Sequence, residues 1–319
     1  MTGRLQAGMN LWLRRGLTPQ GDVVPRTPPT PRTTAFMRPL LFLGPALMFL
    51  GIYQIYPVFA SIWFAFHDQS GRSYVGGTNF QWLVLSAEFR AALVNTVLWL
   101  AVVPAASTVL GLLSASLTSQ IGWGRIAKML MVLPMALSSV GAASIWKFVY
   151  DFRGAGLEQI GLLNAIVVGL GGEPQAWMAL PFWNSFLLMV IVIWMQTGFA
   201  MIVLSAALHA IPAAMIEAAR IDGANGFQLF FWIIVPQMRG AIAVVFLAIF
   251  VITLKVFDVV LAMTNGQWNS KVLAHLMFDL MFRGGGDLGR GAAVALVILI
   301  LVAPILTWKV ANARAGKDG

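Results

Sequence analysis

The chain has 319 residues, of which 59% are hydrophobic and only 10% are charged, and its mean hydropathy is +0.81. This composition excludes an ordinary soluble domain and predicts an integral membrane protein. The absence of cysteine excludes disulfides, thiolate metal sites and a cysteine nucleophile. The net charge of +9 is best explained by Lys and Arg residues that orient a membrane chain, so nucleic acid is not an expected partner.

The first segment, residues 1–38, is basic and rich in proline and has no strong apolar run. We expect a flexible cytoplasmic tail there. The segment lacks the apolar core and cleavage site of a signal peptide, so the first span is expected to be retained. Residues 313–319 are expected to form a second, short cytoplasmic tail.

Between the tails, residues 39–312 contain six apolar runs that exceed or approach the roughly 20 residues needed to cross a bilayer core. They predict an all-α transmembrane domain with spans at about 40–66, 91–117, 126–150, 181–208, 241–263 and 291–310. The polar segments after the first, third and fifth spans are placed outside the cell. Thirteen of the 21 Lys and Arg residues then lie in cytoplasmic segments, which favours both termini inside.

The segment Ile211–Gly240 separates the fourth and fifth spans and is polar enough to work in water. Pro212 suits a first helical position, and Gly223 can supply the positive φ that ends a helix. A second helix with one apolar face is expected from Gly226 until Pro236 interrupts it. The pattern therefore predicts a helix, a glycine turn and a helix on the cytoplasmic side.

Small side chains at Ala218, Ala219 and Gly223 would let another surface approach the first of these helices closely. Glu217 and Arg220 would offer charge at the rim of that contact. The segment is therefore either a docking surface for a partner or an ordinary loop helix that packs on its own bundle, and the spacing alone leaves both interpretations open.

The same segment resembles the EAA loop of the membrane subunits of binding-protein-dependent ABC importers. That pattern is EAA, three residues, Gly, nine residues and then I-x-L-P, and it is met here from Glu217 to Pro236 with Val235 in place of the usual Leu. In that family the loop is a coupling helix that fits a cleft on the ATP-hydrolysing subunit. The resemblance implies an ATPase-coupling role for Glu217, Ala218, Ala219, Arg220, Asp222, Gly223 and Pro236.

Two charged residues lie in the predicted fifth span, where a charge costs about 2.5–3.5 kcal/mol on insertion scales. Lys255 and Asp258 are three residues apart, on one face of the expected helix, where they could pair. They would either line a polar cavity that binds sugar hydroxyls or form a structural ion pair near the outer end of the span.

Gln196 and Phe199 share one face of the predicted fourth span and combine an amide with an aromatic ring, both of which sugars require. Alignment with the membrane subunits of maltose importers places sugar-contacting positions on Gln196, Phe199 and Thr253, and near Asp258. The resemblance thus implies a substrate site of Gln196, Phe199, Thr253, Lys255 and Asp258. For Phe199, plain packing explains the residue equally well.

Four further stretches, residues 145–148, 173–177, 196–201 and 255–258, resemble the α-glucoside branch of sugar permeases. This resemblance covers roughly residues 40–312 and implies the permease fold of type I ABC importers, in the bacterial cytoplasmic (inner) membrane. It implies a sugar of the maltose, trehalose, sucrose or glucosylglycerol class. The partners it implies are a second homologous permease subunit, two ATP-binding subunits and an extracytoplasmic sugar-binding protein.

No cofactor is expected in this chain. Gly316-Lys317 is followed by Asp318, so the sequence has no phosphate-binding Gly-Lys-Ser/Thr loop, and the three histidines show no metal-ligand spacing. The chain is therefore expected to be a transporter subunit and not an enzyme, with ATP and Mg²⁺ on partner subunits.

The alternatives are a secondary sugar transporter driven by an ion gradient and a membrane scaffold. The first needs a coupling-ion site, for which Asp258 is the only clear carboxylate. A scaffold would need neither Lys255 and Asp258 nor the loop geometry.

Overall fold

A computed structural model describes residues 42–154, 156–283 and 286–315, with side chains as far as Ala303. Over these residues the regular secondary structure is helical, apart from one isolated bridge between His67 and Tyr74, so the prediction of an all-α protein is confirmed for them. The tail predicted over residues 1–38 lies outside the described residues, as do residues 316–319. The chain divides into two units, Met1–Pro57 and Val58–Gly319.

We label the helices of the described residues in chain order. They are α1 (Phe42–Ala65), α2 (Thr78–Leu85), α3 (Ala87–Thr118), α4 (Gly124–Val132), α5 (Ser139–Val149), α6 (Leu162–Gly169), α7 (Trp183–His209), α8 (Ala213–Ile221), α9 (Gly226–Gln237), α10 (Arg239–Leu254), α11 (Asp258–Met263), α12 (Leu273–Phe282) and α13 (Leu288–Ala315).

Three of these helices, α1, α3 and α7, are long and apolar enough to cross a membrane. The number rises to five if each of two sharply bent pairs counts as one span. The first pair is α4 and its short 3₁₀ continuation with α5, and the second is α9 with α10. In α13 the described side chains reach only Ala303, so the six predicted spans and their orientation remain a prediction.

The core of the second unit is built on close packing of α3 against α7. A methyl group added at Gly111 of α3 would collide with Ala200 of α7, and one added at Gly198 would collide with the carbonyl of Met131. Small residues let helix backbones approach closely where lipid gives no hydrophobic drive for association. These contacts therefore fix α7, which carries several candidate site residues, against its neighbours.

The third predicted span, 126–150, is not one continuous helix. A 3₁₀ turn at Leu133–Ala136 follows α4, and the chain bends by 106° before α5. Ser138 starts the new helix because its hydroxyl accepts a hydrogen bond from the N–H of Gly141 at 3.1 Å. The bend places the first turn of α5 beside α7.

The fifth predicted span, 241–263, is also interrupted. Helix α10 ends at Leu254 and α11 begins at Asp258, with Phe257 between them at φ −141°. The hydroxyl of Thr253 donates to the carbonyl of Ile249 at 2.8 Å, a bond that favours helix bending. The prediction that Lys255 and Asp258 share one helix face is therefore wrong, and no ion pair within 4.0 Å joins them.

The polar segment predicted after the fifth span contains α12, which packs against α13. Before α12, Lys271 bridges Glu88 of α3 and Asp279 of α12, with N–O distances of 2.7 and 2.8 Å. Burial lowers the pKa of Lys271, but the two carboxylates outweigh it and raise the pKa overall. Lys271 therefore stays cationic and holds α3, the loop and α12 together.

Candidate functional site

The segment between α7 and α10 forms the predicted helix, glycine turn and helix. Gly223 has φ +84°, and its N–H donates to the carbonyl of Arg220 at 3.1 Å while the N–H of Ala224 donates to that of Ala219 at 3.0 Å. This pair of bonds is a Schellman C-cap, which satisfies the last carbonyls of α8 and requires a residue that tolerates positive φ. The backbone thus needs glycine at position 223.

Helix α9 begins at once after this turn. Asn225 and Gln228 form a capping box, in which each side-chain oxygen accepts a backbone N–H bond of 2.9 Å. The helix widens into a π-helical stretch at Leu229–Ile234 and continues through Pro236 to Gln237, one residue beyond the predicted interruption. It then bends by 71° into α10. The Schellman cap at the end of α8 and the capping box at the start of α9 therefore hold the turn, and with it α8, in a fixed position.

The outer face of α8 is exposed and carries most of the predicted coupling residues. Glu217, Ala218, Arg220, Asp222 and Gly223 are all exposed. Glu217 and Arg220 form no ion pair with any described residue. Large apolar side chains accompany these residues: Met215 (39% exposed), Ile221 (85%), Phe227 (69%) and Trp232 (72%).

Ala219 is a correction to the predicted docking set. It is only 7% exposed and packs in the core, because it lies on the inner face of α8 with Ile216 one turn before it. A partner could approach Ala218 and Gly223 closely, but not Ala219. The space around Gly223 is open, since nothing would lie within 4 Å of a Cβ atom there.

A cavity of about 340 Å³, which we call the central cavity, opens at the break between α10 and α11. Its lining residues are Ser139, Val192, Met195, Gln196, Ile252, Lys255, Val256, Phe257, Asp258 and Val259. Irregular backbone at membrane depth is tolerated only inside protein or beside a polar cavity, and broken helices mark the substrate sites of many transporters. The broken helix therefore makes this cavity the candidate substrate site.

Three of the five predicted substrate residues, Gln196, Lys255 and Asp258, line the central cavity together. Thr253 and Phe199 do not line it. Thr253 is only 1% exposed, because its side chain faces the core and not the break. Its hydroxyl is hydrogen-bonded within α10. Phe199 is half-buried and packs against the core, which agrees with the alternative interpretation that this residue serves packing.

The cavity also contains residues that the sequence reading missed. Ser139 lies in the first turn of α5 and Phe257 in the non-helical break, and neither position stands out in a continuous apolar run. Pro134, followed by the consecutive serines 138 and 139, is a helix stop and restart signal that could have revealed the first of them.

Comparison with known proteins gives the family. Residues 34–312 match the family described as the binding-protein-dependent transport system inner membrane component. The chain is 62% identical over 283 residues to the Alpha-glucoside transport system permease protein AglF of Rhizobium meliloti (strain 1021), which covers 89% of this chain and 84% of that protein. It is 42% identical over 275 residues to the Osmoprotective compounds uptake permease protein GgtC of Synechocystis sp., with coverage of 86% and 98%.

A solved structure has the same fold. One chain in the crystal structure of a bacterial alginate ABC transporter, in complex with alginate pentasaccharide-bound periplasmic protein, matches with a TM-score of 0.74 and 20% identity, over 87% of this chain and 93% of that chain. At this identity the likeness shows the fold alone. The resemblance read from the EAA pattern is confirmed by the family match, and the chain belongs to the binding-protein-dependent transport system inner membrane components.

Proposed function

We propose that this chain is one permease subunit of an ATP-driven importer for α-glucoside-type sugars, of the maltose, trehalose, sucrose or glucosylglycerol class. The observation that carries the proposal is the exposed, glycine-capped helix α8, whose residues have the spacing of the EAA loop. The sugar class is supported by the 62% identity to an α-glucoside permease. The chain would lie in the bacterial inner membrane with six spans and both termini in the cytoplasm.

In this proposal α8 docks into a cleft on an ATP-binding subunit. Ile221 would insert its apolar side chain, while Glu217 and Arg220 would pair with charges at the rim. A surface that exposes large apolar side chains next to unpaired charges is typical of a protein interface. ATP and Mg²⁺ would be held by two such subunits, and a second homologous permease and an extracytoplasmic sugar-binding protein would complete the importer.

The central cavity would hold the sugar during transport. The carboxylate of Asp258 would accept hydrogen bonds from sugar hydroxyls, Lys255 would donate to them, and the amide of Gln196 would do both. The ring of Phe257 offers an apolar surface for a sugar C–H face. ATP-driven movement of α8 would reach this cavity through α9 and α10 and expose it alternately to the two sides of the membrane.

The test is reconstitution of the chain with its second permease, ATPase and binding-protein partners in proteoliposomes. We expect uptake of labelled maltose, trehalose or sucrose that requires ATP inside the vesicle and the binding protein outside it, and that an ionophore leaves unchanged. Uptake that persists without ATP and stops with the ionophore would instead establish a transporter driven by an ion gradient.

Gln196 and Thr253 are both predicted to bind substrate, but only Gln196 lines the central cavity, so the two residues can be compared directly. Gln196→Ala removes an amide from the central cavity, so we expect the rate of sugar uptake at subsaturating sugar to fall about tenfold, as for loss of one or two hydrogen bonds. Thr253→Val removes a buried hydroxyl that is bonded within its helix, so uptake should stay within about twofold of wild type once corrected for the amount of protein in the membrane. Equal losses in the two variants would contradict this assignment.

A further inference from the structure

A second cavity, of about 310 Å³, lies at the other end of the helix pair α5–α11 from the central cavity. Its lining residues are Lys147, Tyr150, Asp151, Phe152, Ala176, Trp177, Met178, Ala179, Met263 and Trp268. Ser139 and Asp258, which line the central cavity, begin α5 and α11, whereas Lys147 and Met263 lie in the last turns of the same helices. At 1.5 Å per residue the two cavities are on the order of 10 Å apart.

The second cavity combines aromatic faces with unpaired charge. Four of its lining residues are aromatic, and Lys147 and Asp151 stand beside them. Neither side chain forms an ion pair or a hydrogen bond with any described residue. A ring packs on the C–H face of a sugar, while an ammonium and a carboxylate donate to and accept from its hydroxyl rim. The lining therefore has the chemistry of a carbohydrate site.

The walls of this cavity are held in place by a buried asparagine. The amide of Asn164, which is fully buried, donates to the carbonyl of Asp151 at 2.8 Å and to that of Gln175 at 3.0 Å. Its oxygen accepts from the indole N–H of Trp177 at 2.9 Å. The hydroxyl of Tyr150 donates to the carbonyl of Leu187 at 3.1 Å. The polar atoms of both rings are thus bonded within the protein; Tyr150 is buried against Trp146, whereas Trp177 is only half-buried and can present its ring to a ligand.

Trp268 is held beside this cavity at an energetic cost. Its φ is +51°, and a bulky residue in that region costs of order 1–3 kcal/mol unless its surroundings enforce it. Asn184 of α7 donates to the carbonyl of Trp268 at 2.8 Å, and Asn95 of α3 donates to that of Asn269 at 2.7 Å. These two anchors fix the loop, yet Trp268 remains 45% exposed. Such strain at an exposed aromatic residue is typical of a functional position.

We propose that the second cavity is a sugar subsite, at which an α-glucoside is bound on Trp177 and Trp268 before it passes along α5 and α11 to the central cavity. Lys147 and Asp151 would orient its hydroxyls. The inference rests on the proposed function, because it assigns the same class of substrate to a second position on its path.

The test uses the complete transporter in proteoliposomes with its binding protein and with maltose, trehalose and sucrose as probes. Trp268→Asn removes the ring and keeps a residue that tolerates positive φ. Lys147→Gln is a second, milder variant at an exposed side chain. Trp183→Asn is the matched control, since Trp183 is exposed beside Asn184 but does not line the cavity.

We expect sugar transported per ATP hydrolysed to fall about tenfold for Trp268→Asn and about threefold for Lys147→Gln, with the control within twofold of wild type. The concentration of binding protein that half-maximally stimulates ATP hydrolysis should not change. Wild-type transport by both variants would overturn the inference. It would also be overturned if the concentration of binding protein needed for half-maximal stimulation rose in proportion to the loss of transport, since Trp268 would then be a docking contact for the binding protein. Absence of uptake by the wild-type complex would instead refute the proposed function, and the inference with it.

Discussion

Replacing Gly223 with valine is expected to reduce ATP-driven sugar uptake more than tenfold while leaving the chain in the membrane. Nothing in the chain would collide with the new side chain, but φ +84° is strained for a β-branched residue, and relaxing it would break the two hydrogen bonds that cap α8. The end of α8 would then move, and the added side chain would project into the proposed docking surface. Uptake and binding-protein-stimulated ATP hydrolysis, measured on purified complex, should fall together.

Two variants separate backbone strain from other effects of substitution. Gly223→Asn keeps a residue that tolerates positive φ, so it should retain uptake within about threefold. Gly226 lies only three residues further on, is also exposed and has no positive φ, so Gly226→Val should cost much less than the same change at Gly223. Normal coupled uptake by Gly223→Val, or equal losses at the two glycines, would count against α8 as the link to the ATPase.

The sequence predicted the helix–turn–helix well because its signals are local. A glycine that ends one helix and the start of a second amphipathic helix both act within a few residues. No signal within a few residues determines which face of α8 is buried. Ala218 and Ala219 are identical side chains, and only the packing of α8 on the core decides that Ala219 is covered and Ala218 is free.

The breaks in the third and fifth predicted spans could not be predicted from apolar length, because predominantly apolar sequence continues on both sides of each break. The break in the fifth predicted span contains no glycine or proline that would indicate a helix end. Lys255 and Asp258 were therefore predicted to lie on one continuous helix. Three of the five predicted substrate residues line one cavity, whereas Thr253 and Phe199, both given by the resemblance, face the core. Alignment with a related sequence predicts where along a helix a residue lies more reliably than it predicts the direction in which the side chain points.

Replacing Asp258 with asparagine is expected to raise the sugar concentration for half-maximal uptake by about tenfold or more. The carboxylate lies at the helix break, lines the central cavity with Gln196 and has no ion-pair partner among the described residues. Hydrogen bonds to a charged group contribute about 1.5–3 kcal/mol, which corresponds to a factor of roughly ten to a hundred in affinity. The measurement is the sugar dependence of uptake at fixed ATP and fixed, saturating binding protein.

Asp258 also lies in the first turn of α11, where a negative charge stabilises the helix by only about 0.3–1 kcal/mol. A purely structural role would therefore lower the thermal stability of the complex slightly and leave the sugar dependence unchanged. Asp287→Asn provides the matched control, because Asp287 accepts the N–H of Arg290 at 2.9 Å at the start of α13 and lies outside the central cavity. If the two variants shift the sugar dependence equally, Asp258 does not bind substrate. If only Asp258→Asn shifts it while stimulation of ATP hydrolysis by the binding protein persists, the carboxylate acts on the sugar and not on coupling.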